Sequence, residues 1–153
     1  MGAPEDVAIL RAWIPRNVRN ACESSPLRSA GELAAVRCTE KGTKDLGYVL
    51  FRSVEALNAR WNAFFAKAAI QPGGSCRRGE EAQGDWSDEG LFGIFPEVRG
   101  TLACTVENDG DARVDWTTTD VPIWSTLWRD DEDIAAAYGT WSEGRLNPLR
   151  EPR

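Results

Sequence analysis

The chain has 153 residues, a net charge of −6 and no histidine. Without histidine there is no Ser-His-Asp triad, no Cys-His pair, no histidine general base and no mixed cysteine and histidine zinc site. The acidic balance argues against nucleic acid or an anionic membrane surface as the main partner. At 42% apolar and 27% charged, the composition is that of one folded domain with its own core, and no apolar run is long enough to insert in a bilayer. Residues 1–4 read as a start or linker, lacking the basic and apolar regions of a signal peptide.

From residue 5, Val7, Leu10, Ile14, Val18 and Ala21 keep a helical period that Pro15 interrupts, which predicts a short helix and then a second turn starting at Pro15. Residues 24–31 form a polar loop, and residues 33–38 and 46–51 read as strands separated by the loop 40–45. Ser53 can cap a helix whose apolar positions Val54, Leu57, Trp61, Phe64, Phe65 and Ala68 recur at three- and four-residue spacing. Residues 71–74 end it. A long, Gly-rich, acidic connection follows over 75–96, holding Cys76, Trp86 and one apolar patch, Leu91 to Phe95.

In the second half, residues 98–107 and 112–118 read as strands joined by Asn108-Asp109-Gly110-Asp111, where Asp-Gly supplies the backbone angles of a tight hairpin. Residues 121–128 read as a third strand, and Pro122 near its start suits a sheet edge. Asp130 or Asp131 then caps a helix with Ile134, Ala137, Tyr138 and Trp141 on its inner stripe. The polar tail 145–153 is expected to fray.

Cys22, Cys38, Cys76 and Cys104 lie 16, 38 and 28 positions apart, far from the C-x2-4-C knuckles of an all-cysteine zinc site. Two disulfides in an oxidising compartment, or four buried thiols, remain. Each half of the chain runs from a cysteine to a strand ending near a second cysteine, then an aromatic-bearing strand and an amphipathic helix. This order suggests a degenerate duplication and, of three connectivities, favours Cys22 with Cys38 and Cys76 with Cys104. The fold expected is α+β over residues 5–144: an antiparallel sheet of about five strands with the helices packed on one face, in two layers.

Catalytic and metal motifs fail in turn. Gly42 to Gly47 and Gly74 to Gly79 resemble phosphate loops, but Tyr48 and Glu80 stand where lysine is required. Asp109-x-Asp111 begins like a calcium loop and then places Val114 at the glycine position, while Asp130 to Asp133 is explained by capping. Lys41/Lys44 and Arg77/Arg78 read as solvated loop charge. No metal, cofactor or catalytic residue is assigned. No spacing singles out a carboxylate pair among the 24 acidic residues, although a hydrolase or lyase using carboxylates alone is the alternative to a binding role. A cytosolic interaction domain with free thiols is a third reading.

Seven tryptophans must each be placed, because an indole is large and its N–H needs a partner when buried. Trp61, Trp116 and Trp141 fall on core positions of their elements. In the last strand Trp124, Thr126 and Trp128 share one side, opposite Ile123 and Leu127. With the Ile123 side against the helices, Trp124 and Trp128 would form an open aromatic platform near Arg113 and Asp115, suited to a sugar, a peptide or a protein partner; otherwise the loop 75–96 would cover them.

The order Ile14-Pro15-x-x-x-Arg19-x-x-Cys22, Ala35-Val36-x-Cys38, Tyr48-x-x-Phe51, Cys76, Gly84-x-Trp86, Arg99-Gly100-x-x-x-Cys104, Val114-Asp115-Trp116-Thr117 and Asp130 through Ile134 to Trp141 resembles a domain found C-terminal to actinobacterial serine/threonine protein kinases. The resemblance spans residues 9–143 and departs at Thr140-Trp141, where that family often carries a Trp-Trp pair. It implies the same cysteine pairing, a place on the outer side of the cell envelope beyond a membrane anchor, and a non-enzymatic sensor that binds a small ligand, a cell-wall fragment or a protein.

Overall fold

The computed structural model describes residues 1–87 and 98–152; the expected apolar patch Leu91 to Phe95 lies outside them. Along the chain come α1 (Pro4–Trp13), α2 (Arg16–Arg19), β1 (Cys22–Ser24), β2 (Glu32–Cys38), β3 (Asp45–Phe51), α3 (Val54–Ala66) and a 3-10 turn (Cys76–Arg78). Then follow β4 (Ala82–Ser87), β5 (Val98–Val106), β6 (Ala112–Thr117), β7 (Ile123–Trp128) and α4 (Ile134–Ser142).

All seven strands join one antiparallel sheet in the order β1-β2-β3-β7-β6-β5-β4. The expectation of about five strands is therefore corrected to a β-rich, seven-stranded sheet. The two added strands are its edges. β1 has only three residues, and β4, AQGDWS, has too few apolar residues to show an alternation. β7 is central rather than an edge strand. Pro122 precedes its first residue, so no ladder N–H is lost, and the Pro122 carbonyl accepts from the Phe51 amide at 2.8 Å.

The helices occupy both faces, not one. Leu10 and Ile14 from the N-terminal helical segment and Ile134, Ala137 and Trp141 from α4 pack with Val36, Tyr48, Val114, Trp116, Ile123 and Leu127. Leu57, Trp61 and Phe65 of α3 instead pack with Phe51, Ala103 and Trp124 on the opposite side. Two meanders, β1-β2-β3 and β4-β5-β6-β7, meet at the β3/β7 pair, but the helices that leave them turn to opposite faces. The halves thus share an order of elements, not an arrangement in space.

Several local signals act as their chemistry requires. Pro15 is the N-cap of α2 and ends the α1 register. Ser53 caps α3 by accepting from the Ala56 amide at 3.1 Å. Gly110, at φ 92°, makes the β5–β6 turn, where the Glu107 amide also donates to the Asp111 carbonyl. The α4 cap is Asp133 rather than Asp130 or Asp131; its carboxylate accepts from the Ala136 amide at 2.9 Å.

Disulfides join Cys22 to Cys38 and Cys76 to Cys104, and no described cysteine is free. The first links directly paired residues of β1 and β2, and the second ties the 3-10 turn to β5. The tail expected to fray is anchored through Leu146, which is fully buried and whose carbonyl accepts from the Tyr48 hydroxyl at 2.6 Å. Burial holds the Tyr48 phenol above its ordinary titration range. No helix among the described residues is long and apolar enough to cross a membrane.

Candidate functional site

Pairing of β6 with β7 sets Arg113 opposite Trp128, Asp115 opposite Thr126 and Thr117 opposite Trp124. Side chains alternate along a strand, so the five expected site residues Arg113, Asp115, Trp124, Thr126 and Trp128 share the sheet face that α3 partly covers.

Asp115 is their hub and is fully buried. Its Oδ1 accepts from Arg113 Nη2 at 2.6 Å, Trp124 Nε1 at 2.8 Å and Thr126 Oγ1 at 2.7 Å. Its Oδ2 accepts from Arg113 Nε at 2.7 Å. Glu107 completes the cluster, accepting from Arg113 Nη1 at 2.5 Å and from Trp128 Nε1 at 3.1 Å. Burial works against the Arg113 charge, but the attraction and hydrogen bonds of Asp115 and Glu107 outweigh it and hold the guanidinium above its ordinary pKa.

The open platform shrinks to one indole. Trp124 is 8% exposed, beneath α3, with Trp61 at 4.9 Å and Phe64 at 5.6 Å between ring centroids and Phe51 stacked at 6.3 Å. What covers it is α3, whose stripe falls on this face because the chain leaving β3 turns that way. Thr126 is buried as well, and Trp128 stays half-buried.

Trp128 lines a groove of ≈140 Å³ between α3 and the segment 25–32. Ala35, Gly47 and Val49 contribute to its floor, and Arg60 and Phe64 of α3 to one wall. A Cβ at Gly47 would lie 3.6 Å from the Trp128 ring, so the glycine leaves space for the indole to lean over β3. Cations and rings alternate across the site. Arg37 lies 5.4 Å from the Trp128 ring, Arg113 lies 5.2 Å from Trp128 and 5.1 Å from Phe64, and Arg60 lies 5.8 Å from Phe64.

Sequence reasoning found the β6–β7 half of this site and missed Arg28, Arg37, Gly47, Arg60 and Phe64. One signal was available. Phe64 and Phe65 are adjacent on a helix and so point in different directions, which places one of them, Phe64, at the margin of the core they share.

The acidic residues near the site have structural partners. Glu107 and Asp115 engage Arg113. Among the described residues, Glu107, Asp109 and Asp111 form the one acidic group compact enough to suggest a cation site. There Asp111 pairs with Lys44, and Asp109 accepts from the Asp111 amide at 3.0 Å to shape the hairpin turn. Asp131 pairs with Arg129 at 2.8 Å, and that hydrogen bond is the main cause lowering its pKa to about 2.

No protein-family model, curated protein or solved structure matches the chain, and the likeness to kinase-linked domains rests on the residues quoted for it alone.

Proposed function

We propose that this domain is a non-enzymatic binding module whose ligand enters the groove beside Trp128. The observation that carries this reading is the convergence there of a half-buried indole, a phenyl ring and arginines from β2, β6 and α3 over an apolar floor. The Asp115 and Glu107 bonds fix Arg113 and Trp128 before any ligand arrives, which lowers the ordering cost of binding. Both carboxylates are committed to Arg113 and the tryptophans, which favours binding over an acid–base reaction at this point.

The two disulfides favour an oxidising environment. A place on the outer side of a cell envelope, with occupancy read by a kinase across the membrane, is the finer part of the proposal and draws on the resemblance.

A fragment library screened by thermal shift against the parent and Trp128→Ala tests the site. Stabilising fragments that lose their effect in the variant support it. Fragments that stabilise both proteins equally, or a library with no stabilising member, contradict it.

A further inference from the structure

We infer that the groove beside Trp128 takes a compact organic anion: a flat, ring-sized body against Trp128 and Phe64, with its negative group held between Arg60 and Arg28. This rests on the binding-module reading and names the class of ligand.

The first argument is charge. The chain is acidic overall at −6, yet among the described residues the groove is lined by Arg28, Arg37, Arg60 and Arg113 against a single carboxylate, Glu32. Two of the four arginines are already held in ion pairs. Arg113 is ion-paired with both Asp115 and Glu107, and Arg37 pairs with Asp45 at 2.9 Å. Glu32 accepts from the Ser29 hydroxyl at 2.7 Å and the Arg28 amide at 3.0 Å, which shapes its own turn. Arg28 and Arg60 form no ion pair among the described residues, and both line the groove, one from the segment 25–32 and the other from α3. Two guanidiniums with no carboxylate partner beside an apolar floor complement an anion, because a guanidinium offers forked donors to a carboxylate or phosphate.

The second argument is shape. The groove volume, ≈140 Å³, is close to the roughly 150 Å³ of a cavity known to hold benzene. Apolar Ala35 and Val49 accept a ring face, and Phe64 and Trp128 supply π surfaces beside it. A phosphate ion alone would leave that surface wet, and a neutral ring would leave the two cations unpaired. An anion carried on a ring satisfies both.

The test titrates the intact, oxidised domain with benzoate, phenyl phosphate, benzamide and acetate, following backbone amides of the groove by two-dimensional NMR. Benzoate or phenyl phosphate should shift Gly47, Val49 and Thr126 saturably and bind at least about tenfold more tightly than benzamide, the gain expected of a hydrogen bond to a charged group. Added salt should weaken the anions and leave benzamide unchanged. Arg60→Gln and Arg28→Gln, both substitutions of side chains with no ion pair to lose, should each bring the anion about tenfold closer to benzamide. Equal binding of benzamide and the anions, or anion binding indifferent to both arginine substitutions, overturns the anion assignment while leaving a ring-binding groove. Silence of the groove amides toward every ring-bearing probe overturns the groove reading itself.

Discussion

Arg113 and Asp115 form an ion pair that has been taken out of water, and this makes a sharp stability prediction. Asp115 is 0% exposed and accepts four hydrogen bonds, two from Arg113 and one each from Trp124 and Thr126. Replacing it by alanine leaves a buried guanidinium with Glu107 alone and two buried donors without an acceptor. Breaking a buried pair from one side costs about 3–5 kcal/mol. Arg113→Met should cost a similar amount, because it strands the Asp115 carboxylate. In the double variant Arg113→Met/Asp115→Ala the fully buried charge is gone, leaving the orphaned Trp124 and Thr126 donors at about 1–3 kcal/mol each and a Glu107 that is partly exposed to water. The double variant should therefore be about as stable as either single one, a coupling of about 3–5 kcal/mol. Urea unfolding followed by circular dichroism, with the disulfides intact, measures all four corners of the cycle. Strict additivity, with coupling below about 0.5 kcal/mol, would refute the reasoning, since it would mean that the two groups are solvated independently.

Trp124→Ala should cost about 3–5 kcal/mol, as expected for an aromatic residue packed under α3, whereas Trp128→Ala should stay folded with a much smaller loss, measured by the same urea titration. Ser53→Ala should cost about 1 kcal/mol through the lost cap of α3. Asp131 has its folded pKa lowered to about 2, so its pair with Arg129 stabilises the fold above pH 4 and loses that contribution as pH falls from about 4 toward 2. The melting-temperature difference between the parent and Asp131→Asn should therefore narrow over that interval; a constant difference would show that the pair makes no pH-dependent contribution.

What the sequence discloses is what its local chemistry encodes. The Ser53 cap and the Leu57/Trp61/Phe65 stripe announce α3, Asp-Gly at 109–110 announces the β5–β6 turn, and the parallel order of elements favours the cysteine pairing that forms. Alternation in β7 placed Trp124, Thr126 and Trp128 together, and the register with β6 brings Arg113 and Asp115 to them. The stripe of α3 tells which side of the helix is buried but not which face of the sheet receives it. That choice depends on how the chain turns after Phe51, and it decides that Trp124 is core while Trp128 borders a groove. β1 and β4 escaped notice because each is a sheet edge: one is too short for a period, and the other carries Gln83, Gly84 and Asp85 where a central strand would carry apolar residues. Arg28 and Arg60 belong to unrelated elements 32 positions apart, so only the tertiary fold shows that they line the same space.

The seven indole N–H signals of the oxidised domain, followed by NMR as a thermal-shift hit is added, test the central claim most directly. Binding at the groove predicts that the Trp128 signal moves saturably while Trp116 and Trp141, on the opposite face of the sheet, stay fixed. Saturable movement of Trp116 or Trp141 with Trp128 unmoved would contradict the account and place the ligand on the other face.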